Sequence, residues 1–186
     1  MTGERSTREG ILLSLMEEFR CAGFEGVSLS RISEVTGLGK ASLYHHFPGG
    51  KGEMAEAVME LAANWLETNV FTHLEAEGDP VARLQAVLAS LDSFYAGGSK
   101  SCLLDVMPLG GSESVRSAVK AVFLRLRSGL ERVALDAGLS EALAASRAEE
   151  ALVSLQGSLV LARGLGDTGP FLRAVDALRR EFLQRL

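Results

Sequence analysis

The sequence predicts an all-α protein of about nine helices, and three observations lead to that prediction. Ala, Leu, Glu and Arg, which favour helices, are frequent among the 186 residues. Only 4 prolines interrupt the chain, and none falls inside a long apolar repeat. Apolar residues recur at intervals of three and four positions, which is the spacing of one helix face. With 47% hydrophobic residues, the chain can bury one large core or two small ones.

The first two predicted helices lie within residues 6–37, and capping and turn residues mark where each begins and ends. Ser6-Thr7-Arg8-Glu9 has the pattern of a capping box and begins the first helix, which Gly23 ends. Ser28 caps the second helix, and Gly37 provides the turn that ends it. The apolar residues that we expect to face inward are Ile11, Leu12, Leu15, Met16 and Phe19 in the first helix, and Leu29, Ile32 and Val35 in the second.

The third predicted helix runs from Lys40 to His46, and Pro48-Gly49-Gly50 ends it. Leu43 and Phe47 are its expected inward anchors, which leaves a polar outer face on a rod narrow enough for the major groove of DNA. The side chains that we expect to contact DNA are Ser28 and Ser30 at the start of the second helix, and Lys40, Ser42, Tyr44, His45 and His46 on the third.

Each of these candidates also has a simpler interpretation. Capping alone would account for Ser28, and a solvated or surface-packed side chain is the alternative for Tyr44 and the two histidines. Lys40 stands where recognition helices first meet bases, and either reads guanine or neutralises a phosphate.

Glycine and proline breaks divide the remaining chain into further helices. We expect them at 51–77 and 81–95, a short apolar helix or turn at 100–109 closed by Gly110-Gly111, a long helix capped by Ser112, and two last helices at about 141–164 and 168–186. A boundary near residue 50 would separate a module of residues 1–50 from a helical domain of residues 51–186. A long helix starting at that boundary would couple the two mechanically.

Composition limits where the protein acts and what it binds. No apolar stretch reaches the roughly 18–20 residues of a membrane span, and the charged N-terminus lacks a signal core, so we expect a cytoplasmic protein without a membrane partner. Cys21 and Cys102 fit two buried free thiols, with one disulfide as the alternative. The net charge of -5 argues against a general nucleic-acid coat, but residues 1–51 carry six bases and six acids, which allows a small DNA footprint.

The run Leu43-Tyr44-His45-His46-Phe47, preceded by Ile32 and Gly37 and followed by Lys51, resembles the DNA-binding domain of the TetR family of transcriptional regulators over about residues 8–58. The resemblance implies operator DNA as the partner and a phosphate contact for Lys51. Two departures stand out. Gly39 replaces the usual Ser or Thr cap of the third helix, and Gly49-Gly50 lengthens the loop before Lys51 by one residue.

The C-terminal part is similar to the ligand-binding and dimerisation domain of the same family, and Ser101-Cys102-Leu103-Leu104 to a subset that answers small hydrophobic compounds. Apolar residues outside the main helix stripes either belong to a large core or line a ligand pocket. The candidates for a pocket are Trp65, Phe94, Cys102, Met107, Phe123 and Gln156. The resemblance also implies that the last two helices pair across a two-fold axis, with covering of the monomer core as the alternative. The candidates for that dimer interface are Leu152, Leu155, Leu159, Phe171, Val175, Leu178 and Phe182.

Together these features predict a ligand-responsive DNA-binding regulator, a homodimeric repressor released from its operator by a small hydrophobic effector. We find no nucleophile motif, metal-ligand spacing or phosphate-cradling glycine loop, so we expect no enzyme activity, no catalytic residues, no cofactor and no metal. A redox role for Cys102 lacks basic neighbours in the sequence to support it. The competing interpretation is a helical carrier or scaffold that no longer uses its DNA-binding module.

Overall fold

The computed structural model describes residues 7–108 and 112–184, and within them the chain is helical with no β-strand. The helices are α1 (Arg8–Gly26), α2 (Leu29–Thr36), α3 (Lys40–His46), α4 (Gly50–Leu66), α5 (Thr72–Glu75), α6 (Pro80–Phe94), α7 (Leu103–Val106), α8 (Glu113–Asp136), α9 (Glu141–Leu165) and α10 (Gly169–Glu181). A π-helical turn, Glu67–Phe71, joins α4 to α5 without a break, and a 3₁₀ turn, Ala96–Gly98, follows α6. If α4 and α5 are counted as one helix, the described residues contain nine α-helices, which confirms the predicted fold class.

The chain divides into two compact units. The first unit contains the residues up to Asn64 together with Leu103–Lys120, and the second contains Trp65–Cys102 together with the residues from Ala121 onward. The division falls inside α4. The domain boundary near residue 50 stays a prediction.

Local capping signals determine where the first two helices begin and end. The hydroxyl of Thr7 accepts a hydrogen bond from the backbone N–H of Gly10, so the cap of α1 is Thr7, while Ser6 of the predicted capping box lies outside the described residues. Gly23 interrupts the helical backbone of α1 with φ 67° and ψ 179°, and Gly37 ends α2 with φ 70°. Ser28 caps α2 as predicted, by accepting from the N–H of Arg31 at 3.1 Å.

The core of the first unit forms where α1, α2, α3 and α4 turn their apolar faces toward each other. Its fully buried side chains include Ile11, Leu15, Phe19, Ile32, Leu43, Phe47 and Met54. Leu43 and Phe47 anchor α3 from the inside, as the sequence predicted. The start of α3 is capped by Gly39, which offers no side-chain hydrogen bond.

In the second unit, α10 packs along α9, and this packing corrects part of the predicted dimer interface. The side chains assigned to that interface that are buried within a single chain are Leu155, Leu159, Phe171, Val175 and Phe182. A side chain that its own chain already covers cannot contribute appreciable area to a partner. Leu152 and Leu178 are half-buried.

Candidate nucleic-acid interface

The recognition helix α3 divides cleanly into a buried and an exposed side. Leu43 and Phe47 are 1% and 0% exposed, whereas Tyr44 is 47% exposed. Lys40, Ser42 and His45 are also exposed, and His46 is half-buried. The helix therefore presents a row of hydrogen-bond donors and acceptors that its own unit does not cover, the arrangement that reading a DNA groove requires.

The start of α2, which precedes α3 in the sequence, carries two further hydroxyl groups. Ser28 and Ser30 are both exposed. The oxygen of Ser28 already accepts the capping hydrogen bond, but a hydroxyl keeps its proton to donate, so capping and a phosphate contact are compatible at this position.

Arg31 is committed to contacts within the chain. Its Nε and Nη2 donate to the Glu18 carboxylate at 2.9 and 3.0 Å, and its Nη1 donates to Glu34 at 3.1 Å. The hydrogen bonds and charges of these two carboxylates, Glu18 first, raise the pKa of Arg31 above its usual range. Although Arg31 is half-exposed, its positive charge is locally balanced, and it ties α2 to α1.

Lys51 is also turned toward its own unit, and the phosphate contact implied by the family resemblance stays a prediction. Its Nζ donates to the carbonyl oxygen of Val27 at 3.1 Å and lies 4.4 Å from the centre of the Phe24 ring. The residue before it, Gly50, has a left-handed backbone. Gly50 adopts φ 67° and lies against the Tyr44 ring, where a Cβ would come 3.4 Å from Cε1.

Three of the six predicted pocket residues come together in the second unit. The rings of Trp65 and Phe94 are stacked with centroids 4.2 Å apart, and the Tyr95 ring meets Phe94 edge-on. The Tyr95 hydroxyl lies 3.2 Å from the Cys102 sulfur. Tyr95 thus links the stacked pair to Cys102, and its place next to Phe94 was the only sequence signal for this role.

The remaining pocket candidates differ in burial and in the unit to which they belong. Met107 is buried and belongs to the first unit. Phe123 on α8 and Gln156 on α9 are half-buried. Cys102 is buried and carries a free thiol, while Cys21, predicted to be buried, is exposed.

A row of exposed apolar side chains runs along α9 and was not predicted. Val153 and Leu165 are each 67% exposed, and Leu161 is 56% exposed. Gly157 and Gly164 have open space around them. Val153, Gly157, Leu161 and Leu165 follow at intervals of four residues and Gly164 lies three after Leu161, so these positions lie on one side of the helix. The two-sided apolar pattern of α9 was the signal for this row, since one helix cannot bury both faces against a single neighbour.

Among residues 7–108 and 112–184, no three His, Cys, Asp or Glu side chains are grouped as a metal ion would require. In the same part of the chain, every helix is too short or too polar to cross a membrane.

Comparisons with known proteins agree with this geometry. Residues 11–58 match the family model for bacterial regulatory proteins of the tetR family. The chain is 29% identical over 177 residues to the HTH-type transcriptional regulator LmrA of Bacillus subtilis, covering 89% of this chain and 91% of LmrA. It is 28% identical over 183 residues to the nucleoid occlusion factor SlmA of Shewanella amazonensis, covering 97% and 87% of the two chains.

The fold is similar to that of a TetR transcriptional regulator from Legionella pneumophila, with a TM-score of 0.82 over 96% of this chain and 98% of the other, at 21% identity. A second similar fold is a TetR-family regulator from Agrobacterium tumefaciens, with a TM-score of 0.76 at 24% identity, covering 92% and 94% of the two chains.

Proposed function

Because the chain belongs to the TetR family of DNA-binding transcriptional regulators, we propose that it is a homodimeric repressor that leaves its operator when a small hydrophobic molecule binds. The observation that carries the proposal is the exposed polar face of α3 on a buried apolar anchor. Its exposed hydroxyl, ammonium and imidazole groups can exchange water for phosphate oxygens and base edges.

In the proposed complex, α3 lies in the major groove. Lys40, at its start, reaches a guanine edge or a phosphate, and Ser42 permits close approach of the helix. The hydroxyl of Tyr44 donates to a phosphate, and His45 and His46 reach phosphates or base edges. Ser28 and Ser30 complete the phosphate contacts from the start of α2.

One such helix makes few contacts, so the proposal requires a dimer that places two of them on successive turns of the duplex. The exposed row on α9 supports a two-fold contact, because its leucines and valines leave apolar surface in water and its two glycines allow a close approach of helices. We therefore place the dimer contact on Val153, Val160, Leu161 and Leu165 of α9 and Leu172 of α10. The half-buried Leu152 and Leu178 remain candidates for its edge.

For the effector we propose contact with the aromatic cluster of Trp65, Phe94, Tyr95 and Cys102. Stacked rings favour flat apolar molecules, and the Tyr95 hydroxyl can orient a polar group on them. Trp65 lies on α4, the helix that also carries residues of the first unit, so an effector there acts directly on that helix. A coupling of about 1–3 kcal/mol would weaken operator binding roughly 5–150-fold.

DNA binding can be tested with a fluorescent duplex selected by the wild-type protein from a random-sequence pool. We expect affinity to fall with rising KCl concentration, and Tyr44→Phe to weaken binding without changing the oligomeric mass, because one phosphate contact is lost. A helical carrier would select no duplex and show no salt dependence, which would refute the repressor.

The effector step has its own probe, because Trp65 is the single tryptophan of the sequence. A panel of flat aromatic and long-chain apolar compounds can be screened by its fluorescence. We expect a compound that quenches Trp65 also to release the duplex. A compound that quenches Trp65 at saturation and leaves DNA affinity unchanged would contradict the coupling.

A further inference from the structure

The contacts of Lys51 join three elements of the DNA-binding module. Lys51 stands in the first turn of α4, its Nζ donates to the carbonyl of Val27, and it lies over the ring of Phe24 near the end of α1. Val27 directly precedes Ser28, the cap of α2. The side chain of Lys51 is thus a strut between the start of α4 and the start of α2.

The two glycines before Lys51 make this strut possible. Gly50 has a positive φ of 67°, which favours glycine, and it is buried against the ring of Tyr44. The N–H of Gly49 donates to the carboxylate of Glu53 at 2.7 Å, which closes the first turn of α4. The turn therefore directs Lys51 back across its own unit, while Tyr44 rests on the same glycine.

The ammonium group of the half-buried Lys51 has exchanged part of its water for a carbonyl oxygen and an aromatic face. Moving it to a phosphate would break both contacts, and the single phosphate contact would have to offset the free energy lost with them. Staying in place, it holds the two hydroxyls at the start of α2 at a set distance from α4 and from Tyr44.

We propose that Lys51 is a positioning residue that sets the DNA-binding geometry of α2 and α3 through Phe24 and Val27, and that it contacts no phosphate. The inference rests on the proposed function, and within it only on DNA binding. Its consequence is specific: loss of Lys51 lowers the fraction of modules in the DNA-competent geometry, while the number of neutralised phosphates stays the same.

The salt dependence of binding distinguishes the two roles of a lysine. Each phosphate contact contributes about −0.9 to the slope of log affinity against log salt concentration. Lys51→Met and Phe24→Leu are measured on the selected duplex over a KCl series. Lys40→Met serves as a reference for a cation on the exposed face of α3, and Lys120→Met on the exposed side of α8 is the matched control.

We expect Lys51→Met to weaken binding about tenfold with an unchanged slope, which is the combined effect of one cation–π contact and one hydrogen bond. Phe24→Leu keeps the hydrogen bond and should weaken binding about two- to fivefold, also with an unchanged slope. The double variant should be little weaker than Lys51→Met, because both changes act on the same strut. Phe24→Leu is informative by itself, since it keeps the charge of Lys51. Lys40→Met should reduce the slope, and Lys120→Met should change neither quantity.

The inference would be overturned if Lys51→Met reduced the slope by about 0.9 per subunit, as a lost phosphate contact does. It would also be overturned by wild-type affinity in Lys51→Met, or by wild-type affinity in Phe24→Leu beside a weak Lys51→Met. If the wild-type protein selected no duplex, the proposed function itself would fail, and that outcome is distinct from all of these.

Discussion

Replacing Arg83 with Met should strongly destabilise the second unit. Arg83 is 6% exposed, and its Nε and Nη2 donate to the carbonyl oxygens of His73 and Leu74 at 3.2 and 2.6 Å. These carbonyls end α5, where no further helical N–H is available to bond them. The third contact joins Nη1 to the Asp136 carboxylate at 2.6 Å. The guanidinium therefore acts as the C-terminal cap of the helical run that begins at Gly50.

The size of the effect follows from the three contacts. Each hydrogen bond from the charged group to a helix-end carbonyl contributes about 1.5 kcal/mol. The Asp136 side chain is 42% exposed, so water can replace its partner, and the pair adds no more than about 1 kcal/mol. The free energy of unfolding should fall by about 3–4 kcal/mol, and the melting temperature by about 6–16 °C for a chain of this length.

Urea unfolding of wild-type and Arg83→Met protein at the same protomer concentration measures this difference. Asp136→Asn is the control, because it keeps both carbonyl caps and an oxygen that can still accept from Nη1; we expect a loss of about 1 kcal/mol or less. A loss below about 1 kcal/mol for Arg83→Met would refute the capping role. Equal losses for Arg83→Met and Asp136→Asn would show that the ion pair, and not the two carbonyl caps, supplies the stabilisation.

Three further changes test other parts of the structure. Gly129→Ala should destabilise the second unit by about 1–3 kcal/mol in urea unfolding, because the added Cβ would lie 2.8 Å from the Leu74 side chain. Leu165→Glu should halve the mass in sedimentation, since it places a charge in the proposed dimer contact. Hydrogen bonding to Arg125, aided by its charge, lowers the pKa of Glu67 from its ordinary 4.5, so this contact stabilises the fold above that pH. Its contribution should disappear as the pH falls through the lowered pKa.

Each of these variants has a matched control. Gly52→Ala adds a methyl group where no atom lies within 4 Å, and should be neutral or stabilising. Leu13→Glu changes an apolar side chain that is 52% exposed on α1, outside the α9 row, and should leave the mass unchanged. Glu67→Gln should make the free energy of unfolding less dependent on pH in the acid range. An unchanged pH dependence in this variant would contradict the stabilising role of the Glu67–Arg125 contact.

The fold of the motif was predictable because its determinants are close in sequence. The cap at Ser28, the left-handed Gly37 and the anchors Leu43 and Phe47 all lie within 20 residues, and each has the predicted role. Periodicity also found the helices of the second unit. It could not tell which apolar face of α9 a neighbouring helix covers, because both faces have the same spacing.

The site could be predicted from the sequence only where the residues that form it lie close together in the chain. Lys51 contacts Val27 across 24 positions of the chain, and Arg83 contacts Asp136 across 53. Neither pairing has a signature in the sequence, since both depend on how the helices meet. The extra glycine before Lys51 was the one sequence feature that left the placement of this side chain open, and its phosphate contact stays untested.

Most of the described cations of the DNA-binding module contact groups of their own chain, so few remain to neutralise DNA phosphates. Arg31 is paired with two carboxylates, Lys51 with a carbonyl and a ring, and the Arg8 guanidinium lies 5.4 Å from the centre of the Phe47 ring. Among the cations of residues 7–51, the part of the module that the structure describes, Lys40 is left as the exposed lysine at the start of α3. Counterion release counts the cations that reach phosphates, so a dimer with one such lysine per subunit should show a salt slope near −2.

A slope of this size would mean that neutral donors, namely the hydroxyls of Ser28, Ser30, Ser42 and Tyr44, supply most of the phosphate hydrogen bonds. Such contacts position the protein without attracting unrelated DNA from a distance, so non-specific affinity should be low and discrimination should rest on the fit of α3. Titration of the selected duplex and of a scrambled duplex with KCl measures both quantities. A wild-type slope of about −3.6 or steeper would show that Arg31 or Lys51 leaves its intrachain partner for phosphate, and would refute this account of the charges.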